Sequence, residues 1–203
     1  MDTLQDITEA ANRMLARFEL PSKPAEVIRP LIGRGVSQLV AECLQTQDPA
    51  RIKQGIAAYK AYYSEHLLDH SHLYPDVLET LNYFKGRIQV VLTNKPQDYS
   101  RRLLKGLGVA DFFADILGGD SRFPKKPDPS SMRATMEKHG VISQETLFVG
   151  DSPIDIQTGR SAGVFTVILS RGLARPEELL PLNPDILVSS FKALMDAARK
   201  TDW

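Results

Sequence analysis

The sequence holds one cysteine, Cys43, and one tryptophan in 203 residues. A lone cysteine cannot close an internal disulfide, so the fold must rest on packing, as in proteins of a reducing compartment, and a cytoplasmic location is the expectation. No stretch approaches the roughly 18 consecutive apolar residues of a membrane-spanning helix. The opening residues, Met1-Asp2-Thr3-Leu4-Gln5-Asp6, lack a basic segment followed by an apolar one and do not read as a secretory signal. An excess of either charge is also lacking: 25 Lys plus Arg stand against 25 Asp plus Glu, without runs of like charge. That balance excludes bulk attraction to nucleic acid or to an acidic membrane. No internal repeat or low-complexity segment is visible. What is present is a globular composition, 42% hydrophobic and 25% charged, which can supply a packed core. The length suits one domain of ordinary size with a smaller companion.

The first seventy or so residues read as helices only. Leu4, Ile7, Ala11, Met14, Leu15 and Phe18 recur at steps of three and four and fall on one face of a helix that Pro21 stops. A second helical pattern carries Val36, Leu39, Val40, Cys43 and Leu44 behind Ile32-Gly33-Arg34-Gly35. A third opens at Asp48-Pro49, an N-cap with proline at the first helical position, and runs to Tyr63. From Pro75 the pattern alternates. Helices are expected from Pro75 to Gly86 and over 98–106, 130–139, 154–162 and 191–199, and strands over 88–92, 115–117, 146–149, 164–169 and 186–188. Helices and strands alternating in this way predict an α/β fold with a mostly parallel, doubly wound sheet.

In such sheets ligands gather beyond the carboxyl ends of the strands, where helix N-termini converge. Three strand ends carry unusual chemistry. Thr93-Asn94-Lys95-Pro96 puts a hydroxyl and an amide beside the start of the next helix, where they could cradle a phosphoryl group or simply cap the helix. Phe123-Pro124-Lys125-Lys126-Pro127-Asp128-Pro129 holds lysine on a backbone stiffened by three prolines; a phosphate counter-charge and a solvated basic turn are both consistent with it. Phe148-Val149-Gly150-Asp151-Ser152-Pro153-Ile154-Asp155 sets two carboxylates one helical turn apart at a strand end, a reasonable oxygen site for Mg²⁺. Together these groups suit phosphoryl transfer, with lysine and a metal ion offsetting charge on the phosphate oxygens.

In wording and order, Thr93-Asn94-Lys95-Pro96, Lys126-Pro127-Asp128-Pro129 and Gly150-Asp151-Ser152-Pro153-Ile154-Asp155 resemble motifs two, three and four of the haloacid dehalogenase superfamily, in the flavour of its phosphoglycolate phosphatases. Leu73-Tyr74-Pro75, Gly118-Gly119-Asp120, Arg160-Ser161-Ala162-Gly163, Arg171-Gly172-Leu173 and Pro184-Asp185-Ile186 are similar too. The resemblance implies a Rossmann-like core over residues 73–203 and a small all-helical cap over 1–72. It also implies a Mg²⁺-dependent phosphomonoester hydrolase of a small phosphorylated metabolite. Thr93, Asn94 and Lys126 would bind phosphate and serve catalysis, Asp151 and Asp155 would serve the metal, and Arg34 would face the carboxylate of the substrate. The assembly would be a monomer or a homodimer.

The family's first motif, Asp-x-Asp-Gly-Thr, which carries the aspartyl nucleophile on the first, central strand, has no counterpart here. Asp2-Thr3 matches only the pair that follows it. The expectations are therefore a chain shortened at its start, a sheet without its central strand, and no turnover by these 203 residues as written. Asp2 reads as a helix cap or solvated acid. An alternative is a non-catalytic relative that binds phosphate or a phosphorylated metabolite. A dinucleotide-binding oxidoreductase is disfavoured, since no Gly-x-Gly-x-x-Gly follows a strand. His66, His70 and His72 with Asp69 read as a solvated hinge more readily than as a metal site.

Overall fold

The computed structural model describes residues 1–170 and 172–201 of the chain, so Arg171 of the tail lies outside the described residues. The first third is a helical layer. α1 (Leu4–Arg17) buries Ile7, Ala10, Ala11, Met14 and Leu15 along one stripe. It packs chiefly on α4 (Pro49–Tyr63), which in turn packs on α3 (Val36–Leu44). Asp48 caps α4 by accepting a hydrogen bond from the Ala50 amide at 3.0 Å. Gly55 is required where the three helices meet, because a Cβ there would come within 2.6 Å of Val40 and 2.7 Å of Leu44. Each large side chain sealed in this cluster contributes roughly 1.5–3 kcal/mol. The short helix α2 (Ala25–Ile28) and the 3-10 turn Arg29–Leu31 bridge α1 to α3 and are absent from the sequence reading.

Beyond residue 72 helix and strand alternate: α5 (Val77–Tyr83), β1 (Val90–Leu92), α6 (Gln97–Gly106), β2 (Asp115–Leu117), α7 (Ser130–His139), β3 (Leu147–Gly150), α8 (Pro153–Ala162), β4 (Phe165–Leu169), α9 (Pro176–Leu179), β5 (Ile186–Val188) and α10 (Phe191–Thr201). All strand pairs are parallel, as the alternation requires. β1 pairs with β2, with Val91 opposite Ile116. β4 lies between β3 and β5, with Val149 opposite Val167 and Ile168 opposite Leu187. The sheet is split, however, into a two-stranded and a three-stranded part, and no described strand lies between β1 and β3. β4 is enclosed after its first residue, whereas every residue of β1 and β3 stays partly exposed along the cleft that separates them. The cleft encloses about 2010 Å³ and is walled by both strands.

Element boundaries depart from expectation where that gap is felt. The strand expected from Ile88 begins only at Val90, with Ile88 56% exposed, because pairing exists on one side alone. The helix expected from Pro75 begins at Val77, after Asp76 takes a left-handed conformation (φ 64°). α9 was not anticipated. Asp2, at the front of the chain, forms an antiparallel bridge with His72 and accepts from the Leu4 amide at 2.9 Å, one residue ahead of the N-cap Thr3.

Candidate functional site

The carboxyl end of β3 turns sharply into α8, and the sequence Gly-Asp-Ser-Pro-Ile-Asp dictates how. Ser152 and Asp155 form a capping box. Asp155 Oδ2 accepts from the Ser152 hydroxyl at 2.6 Å and from the Ser152 and Asp151 amides at 3.2 and 3.1 Å, while Pro153 fills the first helical position. Gly150 has no room for a side chain, since a Cβ would sit 2.3 Å from that of Asp155. The other oxygen of Asp155 accepts from the ammonium of Lys126 at 2.7 Å. Asp155 therefore spends both oxygens inside the protein. Ser152-Pro-Ile-Asp155 is itself a capping signature, the signal by which its structural duty could have been found.

Asp151 lines the cleft beside Asp155, with its carboxyl taking a hydrogen bond from the Leu173 amide. Its backbone carbonyl accepts from the Ala174 amide at 3.3 Å, and Gly172 packs so close that a Cβ there would meet Asp151 Oδ2 at 2.3 Å. Burial and the neighbouring charge of Asp155 push the Asp151 carboxyl up to about 6, against the opposing pull of Lys126. For Asp155, burial also favours the neutral form, but Lys126 and the Ser152 hydroxyl outweigh it and hold the carboxyl below its usual range. The amino terminus of Met1, which also lines the cleft, pulls on Asp151 in the same sense as Lys126, so two amines stand beside the two carboxylates.

Lys126 lines the cleft with its ammonium 5.5 Å from the Phe148 ring centroid. Its loop, which includes a cis Lys126–Pro127 bond, is fixed by Asn94. The Asn94 amide donates to the carbonyls of Lys126 at 2.9 Å and Gly33 at 2.8 Å, and its oxygen accepts from the Lys126 amide at 2.8 Å. Asn94 is thus a buried brace between the helical layer and the lysine loop. Thr93 accepts from the Lys95 amide at 3.1 Å and receives backbone support from β2 through the Leu117 carbonyl at 3.0 Å. The cleft lining includes Lys126, Gly150, Asp151 and Asp155 but neither Thr93 nor Asn94.

Of the remaining expected residues, Arg34 is exposed on a loop between Gly33 and Gly35, which have φ of 103° and 92°. Arg29, which sequence reading passed over, lines the cleft from the helical layer. His66 pairs with Asp69 at 2.6 Å and His70 with Glu9 at 3.4 Å on the surface, and among the described residues no cluster of three or more metal-binding side chains occurs. No described helix is long and apolar enough to cross a membrane.

A family profile described as haloacid dehalogenase-like hydrolase matches residues 1–169. The chain belongs to that family. Among its relatives, a phosphoglycolate phosphatase of Thiobacillus denitrificans is 36% identical over 198 residues, which cover 94% of this chain and 87% of that protein. One of Rhodospirillum rubrum is 33% identical over 204 residues, covering 96% and 84%. The crystal structure of a predicted phosphoglycolate phosphatase from Haemophilus somnus superposes with a TM-score of 0.91 at 29% identity, over 97% of this chain and 92% of that one. The haloacid dehalogenase-like fold therefore accounts for the helical start as well as the parallel strands.

Proposed function

We propose that this haloacid dehalogenase-like hydrolase is a Mg²⁺-dependent phosphomonoesterase of phosphoglycolate phosphatase type, with residues 1–72 as a cap over a core of 73–203. The observation that carries this reading is the Lys126–Asp155–Asp151 arrangement at the end of β3, which lines the cleft. Relatives similar to the chain over nearly its whole length bear the name phosphoglycolate phosphatase. Lys126 offsets charge on the phosphate oxygens, and Asp155 holds that ammonium at one depth. Asn94 keeps the lysine loop in register with Gly33 of the cap, so that cap and lysine approach the same ester together. Thr93 shapes the turn from which Asn94 projects.

The donor set fits a hard cation that takes few protein ligands: Asp151 would bind it, while Asp155 orients the turn from behind. When bound, Mg²⁺ would supply positive charge beside the phosphate oxygens. The aspartyl nucleophile implied by the family resemblance belongs to an Asp-x-Asp-Gly-Thr phrase that these 203 residues do not contain. The second reading is a phosphate-binding protein without turnover, in which Lys126, held by Asp155, serves binding alone.

The experiment uses this chain, and the same chain preceded by its native upstream coding sequence. Hydrolysis of an aryl phosphate and of phosphoglycolate is measured with and without Mg²⁺, beside calorimetric titration of phosphoglycolate into the same samples. Mg²⁺-dependent turnover that Lys126→Ala abolishes supports the hydrolase. Binding without turnover in both forms supports the second reading. Turnover that survives Lys126→Ala overturns the assigned site.

A further inference from the structure

Lys95 is a basic residue that the phosphate site does not use. It follows Asn94 in the turn after β1 but points away from the cleft, toward the helical layer. Its ammonium donates to the Tyr63 hydroxyl at 2.5 Å and lies 4.7 Å from the centroid of the same ring. Tyr63 ends α4 and is 1% exposed. It meets Tyr59 at 5.1 Å and, edge-on, Tyr99 of α6 at 5.3 Å between centroids. The acid that acts on this group is Asp6 of α1, also 1% exposed, whose oxygens are taken by the His70 amide at 2.9 Å, the Ser71 amide at 2.9 Å and the Ser71 hydroxyl at 2.5 Å. Among the described residues, Lys95 has no carboxylate at ion-pair distance. Its amine therefore stands at the meeting point of α1, α4, α6 and the segment 70–72, held by one phenol and an aromatic face.

Two consecutive side chains of one turn thus grip the helical layer at separate places, Asn94 at the Gly33 loop and Lys95 at the end of α4. We propose that Lys95 is a positioning residue whose charge state sets how firmly the helical layer is seated on the sheet. A charged amine set among aromatic rings with one neutral acceptor is an arrangement that burial penalises. Burial lowers the Lys95 ammonium to about 7 from 10.5, with Asp6 opposing. An unfolded lysine keeps its proton well above that, so in the window from about 7 to 10.5 the unfolded chain binds more protons, and stability rises with pH. Below 7 the amine is charged in both states and the seat is at its weakest. The groups facing it from the packed elements are the phenols of Tyr59, Tyr63 and Tyr99 and the carboxylate of Asp6. The phenols are all raised by burial first, and so stay neutral over the pH range of the test below.

The test uses the full 203-residue chain and does not depend on which phosphate ester the site takes. Hydrogen-exchange protection, corrected for intrinsic rates, is read at the amides of Ser64, Glu65 and His66, which close the end of α4 on the carbonyls of Lys60, Tyr62 and Tyr63. From pH 6.0 to 8.5 protection in the parent rises about tenfold, the size of one net hydrogen bond. Lys95→Met removes the rise. Lys95→Arg, charged at every pH, holds protection at the low value throughout. A filler role would leave the pH dependence intact in all three, and that outcome overturns the proposal, as does a flat profile in the parent. Should the Lys95 variants fail to fold, Tyr63→Phe keeps the ring and removes the acceptor. In ¹³C-lysine spectra the resonance that titrates near 7 then moves to lower pH, and an unmoved midpoint refutes the link.

Discussion

The ammonium of Lys126 lies 2.7 Å from Oδ1 of Asp155, on side chains that are 13% and 6% exposed, so the cation proposed for phosphate already has an internal anion. Lys126→Ala strands that carboxylate in the interior and is expected to destabilise the fold by about 3–5 kcal/mol as well as remove phosphate binding. Adding Asp155→Asn recovers part of the stability but none of the binding. Urea midpoints and calorimetry with inorganic phosphate on the single and double variants check both halves.

Asp151 works in the opposite sense. Its folded carboxyl is raised to about 6, so the folded chain binds more protons than the unfolded one between about 4 and 6, and stability declines as pH rises through that window. Above it, Asp151→Asn is expected to stabilise the metal-free chain by about 1–3 kcal/mol. The advantage shrinks as pH falls toward 4 and shrinks again when Mg²⁺ is added to the parent. Thermal midpoints at pH 4.5 and 8, with chelator or with Mg²⁺, measure it.

Much of this was legible in the residues. The stripe from Leu4 to Phe18 gave α1 to within a residue, and Asp48-Pro49 marked the start of α4 because cap chemistry is local. Gly150-Asp151-Ser152-Pro153 placed a carboxylate at a strand end because proline and glycine punctuate the backbone wherever they fall. What escaped were relations between distant segments. Asn94 reads as a phosphate ligand or a cap, and only the approach of residues 33 and 126 makes it a brace. Lys95 reads as an ordinary turn lysine until Tyr63, 32 residues away, closes over it. The start of β1 was misplaced because a strand's length depends on the neighbours it pairs with, which its own sequence does not state.

Gly118 and Gly119 show why a short glycine pair can matter. A Cβ on Gly119 would stand 2.3 Å from the Asn94 carbonyl oxygen, and one on Gly118 would stand 2.3 Å from the Gln97 amide nitrogen. Both contacts are with backbone, which cannot rotate aside. Gly119→Ala is expected to lose about 1–3 kcal/mol through overpacking and to weaken phosphate binding by shifting Asn94. The fall in affinity measured by calorimetry should exceed that of Gly140→Ala, where a Cβ would meet nothing within 4 Å.

Asn94→Asp separates brace from bulk. The aspartate has the same shape and still accepts from the Lys126 amide, but it offers no donor to the Gly33 and Lys126 carbonyls. It is expected to cost at least as much as Asn94→Ala, about 1–3 kcal/mol, because three oxygens then face one another in a buried place. Comparing the two variants by urea denaturation at pH 7 decides the point.

Two strands share no backbone hydrogen bond with the other three, and the apolar clusters divide along the same line. α1, α3, α4 and α6 pack around Met14 and Leu103, while Val167, Ile168 and Leu194 gather about β4. α5 against α10, and Asn94 against the lysine loop, join the halves. Such a molecule has two cooperative units within one chain, each able to open without dragging the other. Heat should therefore melt it over a span wider than a single all-or-none transition allows, with a calorimetric enthalpy greater than the van't Hoff value.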